Sequence, residues 1–374
     1  MKIKYVIWIL TMLLIVTLVA CDLPVVTPPP TEAPPTSTST TAPPAPIPTQ
    51  PVEVTEIVTV PIKANNLTGL VTTHKAAASN IQGLSWSPDG SFLSLITQNF
   101  DSSDNQVFGF STLNASDMST RSVYSTSGNR IAAVAPDGET LAVIANDMMS
   151  FSLIDTGNGN ALVGSKVTDY LIGNITFSPD GRYLALTKQE FWEVMLFDRE
   201  TLEEVISLTG FETAAPVFNA GFDASPQWMV WHSRGTVMLQ EVETGMMGGT
   251  FQHEDFLSCY TLSPDGTILA TSAGKTVNNA FVPAVTLWDT SSSTEIQTLV
   301  LDAPANVVKF SPDGKILAVA AGSVLQLWDP ASGTLLQTLA GHTDTILQVA
   351  FSPDQKSIAT AGLDNQLLVW QIPE

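Results

Sequence analysis

Along residues 306–342 the chain reads NVVKFSPDGKILAVAAGSVLQLWDPASGTLLQTLAGH, short apolar runs divided by small polar breaks, and this pattern predicts four short strands. The first run, 307–310, meets Ser311, Pro312, Asp313 and Gly314. That is tight-turn chemistry: proline presets φ, and glycine accepts the positive φ that follows. The second run, 316–321, is almost wholly apolar, as expected of an inner strand covered on both faces. Gly322 and Ser323 turn the chain again, a third run, 324–328, ends at Asp329, and a fourth spans 335–339. Four strands and three turns make one antiparallel sheet. A sheet this small needs another apolar face against each of its own, so copies must stack.

The turn serves as a ruler for finding the copies. Its proline recurs at Pro88, Pro136, Pro179, Pro226, Pro264, Pro312 and Pro353, six intervals over 265 residues. They average about 44 residues, the period of a four-stranded propeller blade. Seven marks predict an all-β, seven-bladed propeller. Pro88, Pro179, Pro264 and Pro312 carry the full SPDG, Pro136 follows an alanine, and Pro353 has Gln355 in the glycine position. The fourth mark, Ser225-Pro226-Gln227-Trp228, lacks both acid and glycine; it is accepted because the gap from Pro179 to Pro264 holds two blades' worth of chain. The last copy ends at its third strand, 367–372, so its outer strand must come from chain before Pro88, expected at 67–73. Such closure removes the open seam of the ring.

These residues resemble the WD-repeat family: the SPDG turns, LWD at 287–289 and 327–329, LFD at 196–198, and the pair Gly341-His342. The resemblance covers roughly 67–374 and is specific for fold, while propellers host many unrelated activities. It implies a role for His342, Thr360, Asp364 and Trp370, which otherwise look like catalytic chemistry. In WD repeats these positions form a structural tetrad, a hydrogen-bonded chain from carboxylate through imidazole and hydroxyl to indole. Blade five keeps three members by the same offsets, His253, Thr271 and Trp288, whereas blade six has Leu301 and Val319 there.

The N-terminus has a different character. Lys2 and Lys4 precede an apolar run, 5–19, and Leu18-Val19-Ala20-Cys21 resembles the bacterial lipobox. Residues 1–20 are therefore expected to be a signal peptide and Cys21 the lipidated first residue, with an uncleaved membrane anchor as the alternative. Residues 24–50 are mostly Pro, Thr, Ser and Ala. As a polyproline II tether of about 3.1 Å per residue they would reach roughly 80 Å. The organisation expected is signal peptide 1–20, lipidated cysteine and tether 21–50, lead-in 51–66 and propeller 67–374, on the outer side of a cell membrane.

Composition narrows the function. The chain has 15 basic and 36 acidic residues, a formal charge of −21; without Lys2 and Lys4 the balance is 13 against 36, or −23. That field opposes nucleic acid and anionic lipid. With Cys21 acylated, Cys259 is left without a partner and is expected in an inner strand, unreactive. His74 and His232 stand at no metal spacing, Asp101 and Asp104 lack the glycine and closing glutamate of a calcium loop, and NxT or NxS triplets begin at Asn66, Asn114 and Asn174. Neither metal nor cofactor is expected, and no nucleophile elbow, phosphate loop or dinucleotide fingerprint occurs.

What remains is a rim. The second-to-third-strand loops at 97–106 and 274–283 are long, whereas Gly322-Ser323 is bare. Phe100, Phe191, Trp192, Phe281, Met148, Met149 and Arg234 fall in such loops and are the types that anchor protein interfaces. The expected function is a non-enzymatic scaffold, a monomeric propeller binding a protein or peptide partner. The alternatives are an enzyme or small-molecule binder at the channel mouth, and a subunit of an envelope assembly.

Overall fold

The computed structural model describes residues 59–60, 62–63, 70–77, 80–102, 105–127, 129–188, 193–209, 219–223, 225–233, 235–253, 257–277 and 280–373, all within the compact unit 54–374. The signal peptide, Cys21 and the tether lie outside the described residues. Seven antiparallel sheets form the ring, and the innermost strands of blades one to seven are Ile81–Trp86, Arg130–Val134, Ile172–Phe177, Asn219–Phe222, Leu257–Leu262, Ala305–Phe310 and Ile346–Phe351. Within blades one to six the strands run outward in chain order. In blade six they are followed by Leu317–Ala321, Val324–Asp329 and Thr334–Ala340, close to the sequence expectation.

Two side-chain devices repeat with the blades. Ser311 Oγ donates to Asp313 Oδ1 at 2.8 Å, Lys315 N–H donates to the same oxygen at 3.1 Å, and Ile316 N–H donates to Ser311 Oγ at 2.9 Å. The same three bonds occur at Ser87, Ser178, Ser263 and Ser352. The turn thus satisfies its own polar groups before any packing. Gly314 takes φ +71°, and Gln355 takes +59° at the same place without the glycine that usually accepts it. The acid of the LWD motif holds the next turn: Asp329 Oδ1 accepts Ala331 N–H at 2.9 Å and Ser332 N–H at 3.3 Å, Asp155 and Asp198 cap theirs alike, and Asp289 accepts the Ser291 hydroxyl and Ser292 N–H.

The core lies between blades. Seven clusters of buried apolar side chains each join one blade to the next. Alternation along a strand sets which neighbour is served. In blade six Leu325 and Leu327 pack toward blade seven, and Trp328 packs toward blade five. An inner strand therefore buries both faces, which is why Leu317–Ala321 is fully buried.

Closure differs from the expected position. The outer strand of blade seven is Val71–Ala77, with Val71 opposite Gln371 and Ala77 opposite Gln366, not 67–73. The lead-in contributes as well: Thr59 and Val60 pair with Pro373 and Ile372 on the same edge of Gln366–Pro373. Both described pieces, Thr59–Val60 and Val71–Ala77, thus lie along one edge of Gln366–Pro373. Ile62 and Leu70 are buried in the cluster joining blades six and seven, and Ile62 N–H donates to Gln355 O at 2.5 Å. Burial of these side chains, which one sheet alone does not reveal, decides where the strand breaks.

Candidate binding face

The ring has a turn face, carrying the serine–aspartate turns, and a loop face, carrying the second-to-third-strand loops. On the loop face Phe100 is 64% exposed, Phe281 58%, Leu363 51% and Met149 37%, and Leu171, in the link from blade two to blade three, is exposed too. Phe100 is not in a loop, as expected from sequence: blade one extends its middle hairpin to Phe92–Phe100 and Gln106–Asn114, so a strand end presents the ring. Phe281 sits on an extra hairpin of blade five, Lys275–Val277 with Ala280–Val282. Its ring lies over Gly274, where an added Cβ would clash with Phe281 Cε2. Met148 does not join them. At φ +56° it packs against the cluster between blades two and three, and its carbonyl accepts Ile172 N–H at 2.7 Å. Phe191, Trp192 and Arg234 lie outside the described residues. Leu171 and Leu363 were missed from sequence, although an apolar side chain in the otherwise polar turn LDN was a usable signal.

Beside Phe100 a cavity of about 510 Å³ opens on the loop face between blades one and two. Its floor is Ile96, Phe108 and Ile131, and its polar lining is Gln82, Gln98, Gln106, Arg130 and Asn174. Register explains the grouping: Gln98 pairs with Phe108 and Phe100 with Gln106, so these four side chains and Ile96 share one face of the hairpin. A second cavity, about 740 Å³, occupies the central channel near the turn face, lined by Trp86, Phe177, Pro88, Pro136, Pro179 and Lys309 among others. Lys309 Nζ meets Asp223 Oδ1 at 2.9 Å, and Asp223 Oδ2 also accepts Leu262 N–H at 2.5 Å. This ion pair ties the innermost strands of blades four, five and six. The negative charge of Asp223 raises the Lys309 pKa above its ordinary value, against the opposing effect of burial.

The four residues that resemble a catalytic constellation form a buried chain of hydrogen bonds. His342 Nδ1 contacts both Asp364 oxygens at 3.0 Å, His342 Nε2 contacts Thr360 Oγ1 at 2.8 Å, and Trp370 Nε1 donates to Thr360 Oγ1 at 3.0 Å. Asp364 Oδ2 also accepts Thr343 N–H at 2.9 Å. Burial alone would raise the Asp364 pKa, but the Thr343 N–H and His342 outweigh it and hold it below the ordinary carboxylate range. The hydroxyl has no exposure and bridges two rings, so the set fastens strands and offers no open nucleophile. In blade five Trp288 Nε1 donates to Thr271 Oγ1 at 2.7 Å, and His253 packs edge-on to Trp288 at 5.2 Å. Blade six solves the problem differently. With Val319 in place of the threonine, Trp328 Nε1 donates to Gln326 Oε1 at 3.2 Å. Gln326 is the register partner of Val319, so the acceptor has moved across the sheet by one strand.

Cys259 lies in the innermost strand of blade five, half-buried, and burial pushes its thiol up to about 11. Its thiolate is therefore scarce at neutral pH. Among the described residues no three His, Cys, Asp or Glu side chains gather as a metal site, and no helix is long and apolar enough to cross a membrane.

Comparison with known proteins agrees with the repeat. The family described as WD domain, G-beta repeat matches residues 333–371, from the outer strand of blade six through the third strand of blade seven. The human intraflagellar transport protein 122 homolog is 45% identical over 65 residues, 17% of this chain and 5% of that protein. The small ribosomal subunit protein RACK1 of Candida albicans is 31% identical over 128 residues, 32% of this chain and 38% of that protein, and its Drosophila melanogaster counterpart is 30% identical over 129. The chain thus spans well under two thirds of these curated relatives. Taken with the ring of seven sheets, these matches make the chain a seven-bladed β-propeller whose last blade carries the pattern of the WD, G-beta repeat.

Proposed function

We propose that this chain is a lipid-anchored, extracytoplasmic propeller that binds a protein or peptide partner on its loop face and performs no chemistry itself. The observation that carries the reading is the set Phe100, Met149, Leu171, Phe281 and Leu363, large apolar side chains each exposed at a strand end or turn of one face. Apolar side chains that a monomer leaves in water on one rim, with two aromatics on raised hairpins, are suited to burial against a partner. The similarity to proteins named for transport and ribosomal assemblies favours interaction over catalysis. The lipobox at 18–21 and the tether support the anchor.

The test is crosslinking of the full chain in its native membrane, comparing wild type with a Phe100→Ala, Phe281→Ala, Leu363→Ala variant whose melting is unchanged. A partner captured by wild type and lost from the variant supports the reading. Capture that survives the variant refutes the loop face, and cytosolic fractionation of the chain refutes the anchor.

A further inference from the structure

The cavity between blades one and two differs from the rest of the loop face in its chemistry. Arg130 donates through Nη1 to Gly173 O at 3.2 Å, and among the described residues no carboxylate or aromatic ring pairs with it. The other described arginines are occupied: Arg199 pairs with Asp137, Arg121 stacks over Phe92 and Arg182 over Tyr183. In a chain of net charge −21, Arg130 supplies the single formal charge of this cavity. The side-chain amides of Gln82, Gln98 and Gln106 have no hydrogen-bond partner in the protein among the described residues, and all three line the cavity. An apolar floor of Ile96, Phe108 and Ile131 lies beneath them, and Phe100 continues the same hairpin face above.

Each part of this lining fits one part of a ligand. A guanidinium with free N–H groups receives a carboxylate, by charge and by its fork geometry. Carboxamides donate and accept at once, which is what a peptide backbone requires. An apolar floor takes one aliphatic side chain, and a volume of about 510 Å³ lies in the range that holds a short ligand segment. We infer that this cavity binds the C-terminus of a peptide chain, its carboxylate on Arg130, its last aliphatic side chain on Ile96, Phe108 and Ile131, and its last amides against the glutamines. This deepens the proposed peptide-binding role and rests on it. The partner would then lie along the blade-one hairpin toward Phe100.

The experiment measures fluorescence anisotropy with the full chain in detergent, using a labelled hexapeptide pool ending in leucine, with either a free or an amidated C-terminus. The free-acid pool is expected to saturate at least about tenfold more tightly than the amide, the loss that follows when a charge-assisted pair is removed. Arg130→Gln should abolish that difference, Arg130→Lys should retain part of it, and Arg121→Gln, at an arginine already stacked on Phe92, should leave it unchanged. A second arm uses N-acetyl-leucine as competitor. Displacement by it at concentrations equal to the pool's own affinity would show a small-acid site instead and overturn the peptide assignment. Equal affinity of the two pools, a difference that survives Arg130→Gln, or no saturation by the free acid each overturns the inference. Partner capture that depends on Phe100 and Phe281 but not on Arg130 would leave the loop-face reading standing while removing this subsite.

Discussion

Thr360→Val is the sharpest test of how the last blade holds together. Valine keeps the shape of threonine and removes one hydroxyl, which at once takes the partner from His342 Nε2 and from Trp370 Nε1. Thr360 has no exposure and Trp370 only 4%, so water cannot replace it without rearrangement. Each buried polar atom left without a partner costs about 1–3 kcal/mol, and the two share one lost group, so the expected loss is about 2–4 kcal/mol. Blade six supplies the control. There Val319 is tolerated because Gln326 accepts from Trp328, and Leu368 occupies the position in blade seven that corresponds to Gln326. The quadruple variant His342→Leu, Thr360→Val, Asp364→Asn, Leu368→Gln supplies that acceptor without leaving the Asp364 carboxylate buried beside no imidazole, and should recover stability to within about 1 kcal/mol of wild type. Urea unfolding of the full chain, followed by tryptophan fluorescence, measures both. If Thr360→Val lies within about 0.5 kcal/mol of wild type, or the quadruple variant is no better than the single, the reasoning is refuted.

Four further outcomes are expected. Lys309→Met should destabilise by about 1–2 kcal/mol, discounted because the lysine is partly open to the channel, and Asp223→Asn/Lys309→Met should cost less than the two single changes summed; additive effects would show that the pair is not coupled. Because Asp223 raises the Lys309 pKa, the pair's contribution is fully present below 10.5 and is lost as pH rises through the higher folded value, so an alkaline melting series should lose more in wild type than in Lys309→Met. Burial lowers the His232 pKa from 6.5, so on acidification the unfolded chain takes the proton first and stability falls below pH 6.5; His232→Phe should flatten melting temperature against pH between 7 and 5, and an unchanged slope would count against it. Gln355→Gly relieves a left-handed φ while keeping the backbone bonds of Gln355 to Ser352 and Ile62, and should raise the unfolding free energy by up to about 1 kcal/mol; a fall would mean that the side chain contributes more than the strain removes.

The sequence was informative wherever a physical requirement is local. Ser311, Pro312, Asp313 and Gly314 satisfy one another within a turn, so the turn could be recognised without knowing what packs on it, and its recurrence fixed the number of blades. The relation of His342, Thr360, Asp364 and Trp370 was legible through family resemblance, and three of the four offsets recur in blade five at His253, Thr271 and Trp288. Blade four was legible only through spacing. Ser225 still receives Gln227 N–H at 3.3 Å, but the blade's closest charged contact, Asp223 with Lys309, reaches from blade four to blade six and leaves no signature in either repeat.

Tertiary structure decided whatever depends on which surfaces meet. Alternation in the chain marks Leu325, Leu327 and Trp328 as apolar, and only the ring assigns the first two to blade seven and the third to blade five. The closing strand moved to Val71–Ala77 because Ile62 and Leu70 find burial between blades six and seven, a non-local gain that no residue of the strand announces. The same holds for the cavity of Gln82, Gln98, Gln106, Arg130 and Asn174. Its lining comes from three blades, and burial, charge isolation and shape arise only when those blades stand side by side. Local hydrogen bonding and period thus wrote the architecture into the sequence, while the site is a property of neighbours brought together by the closed ring.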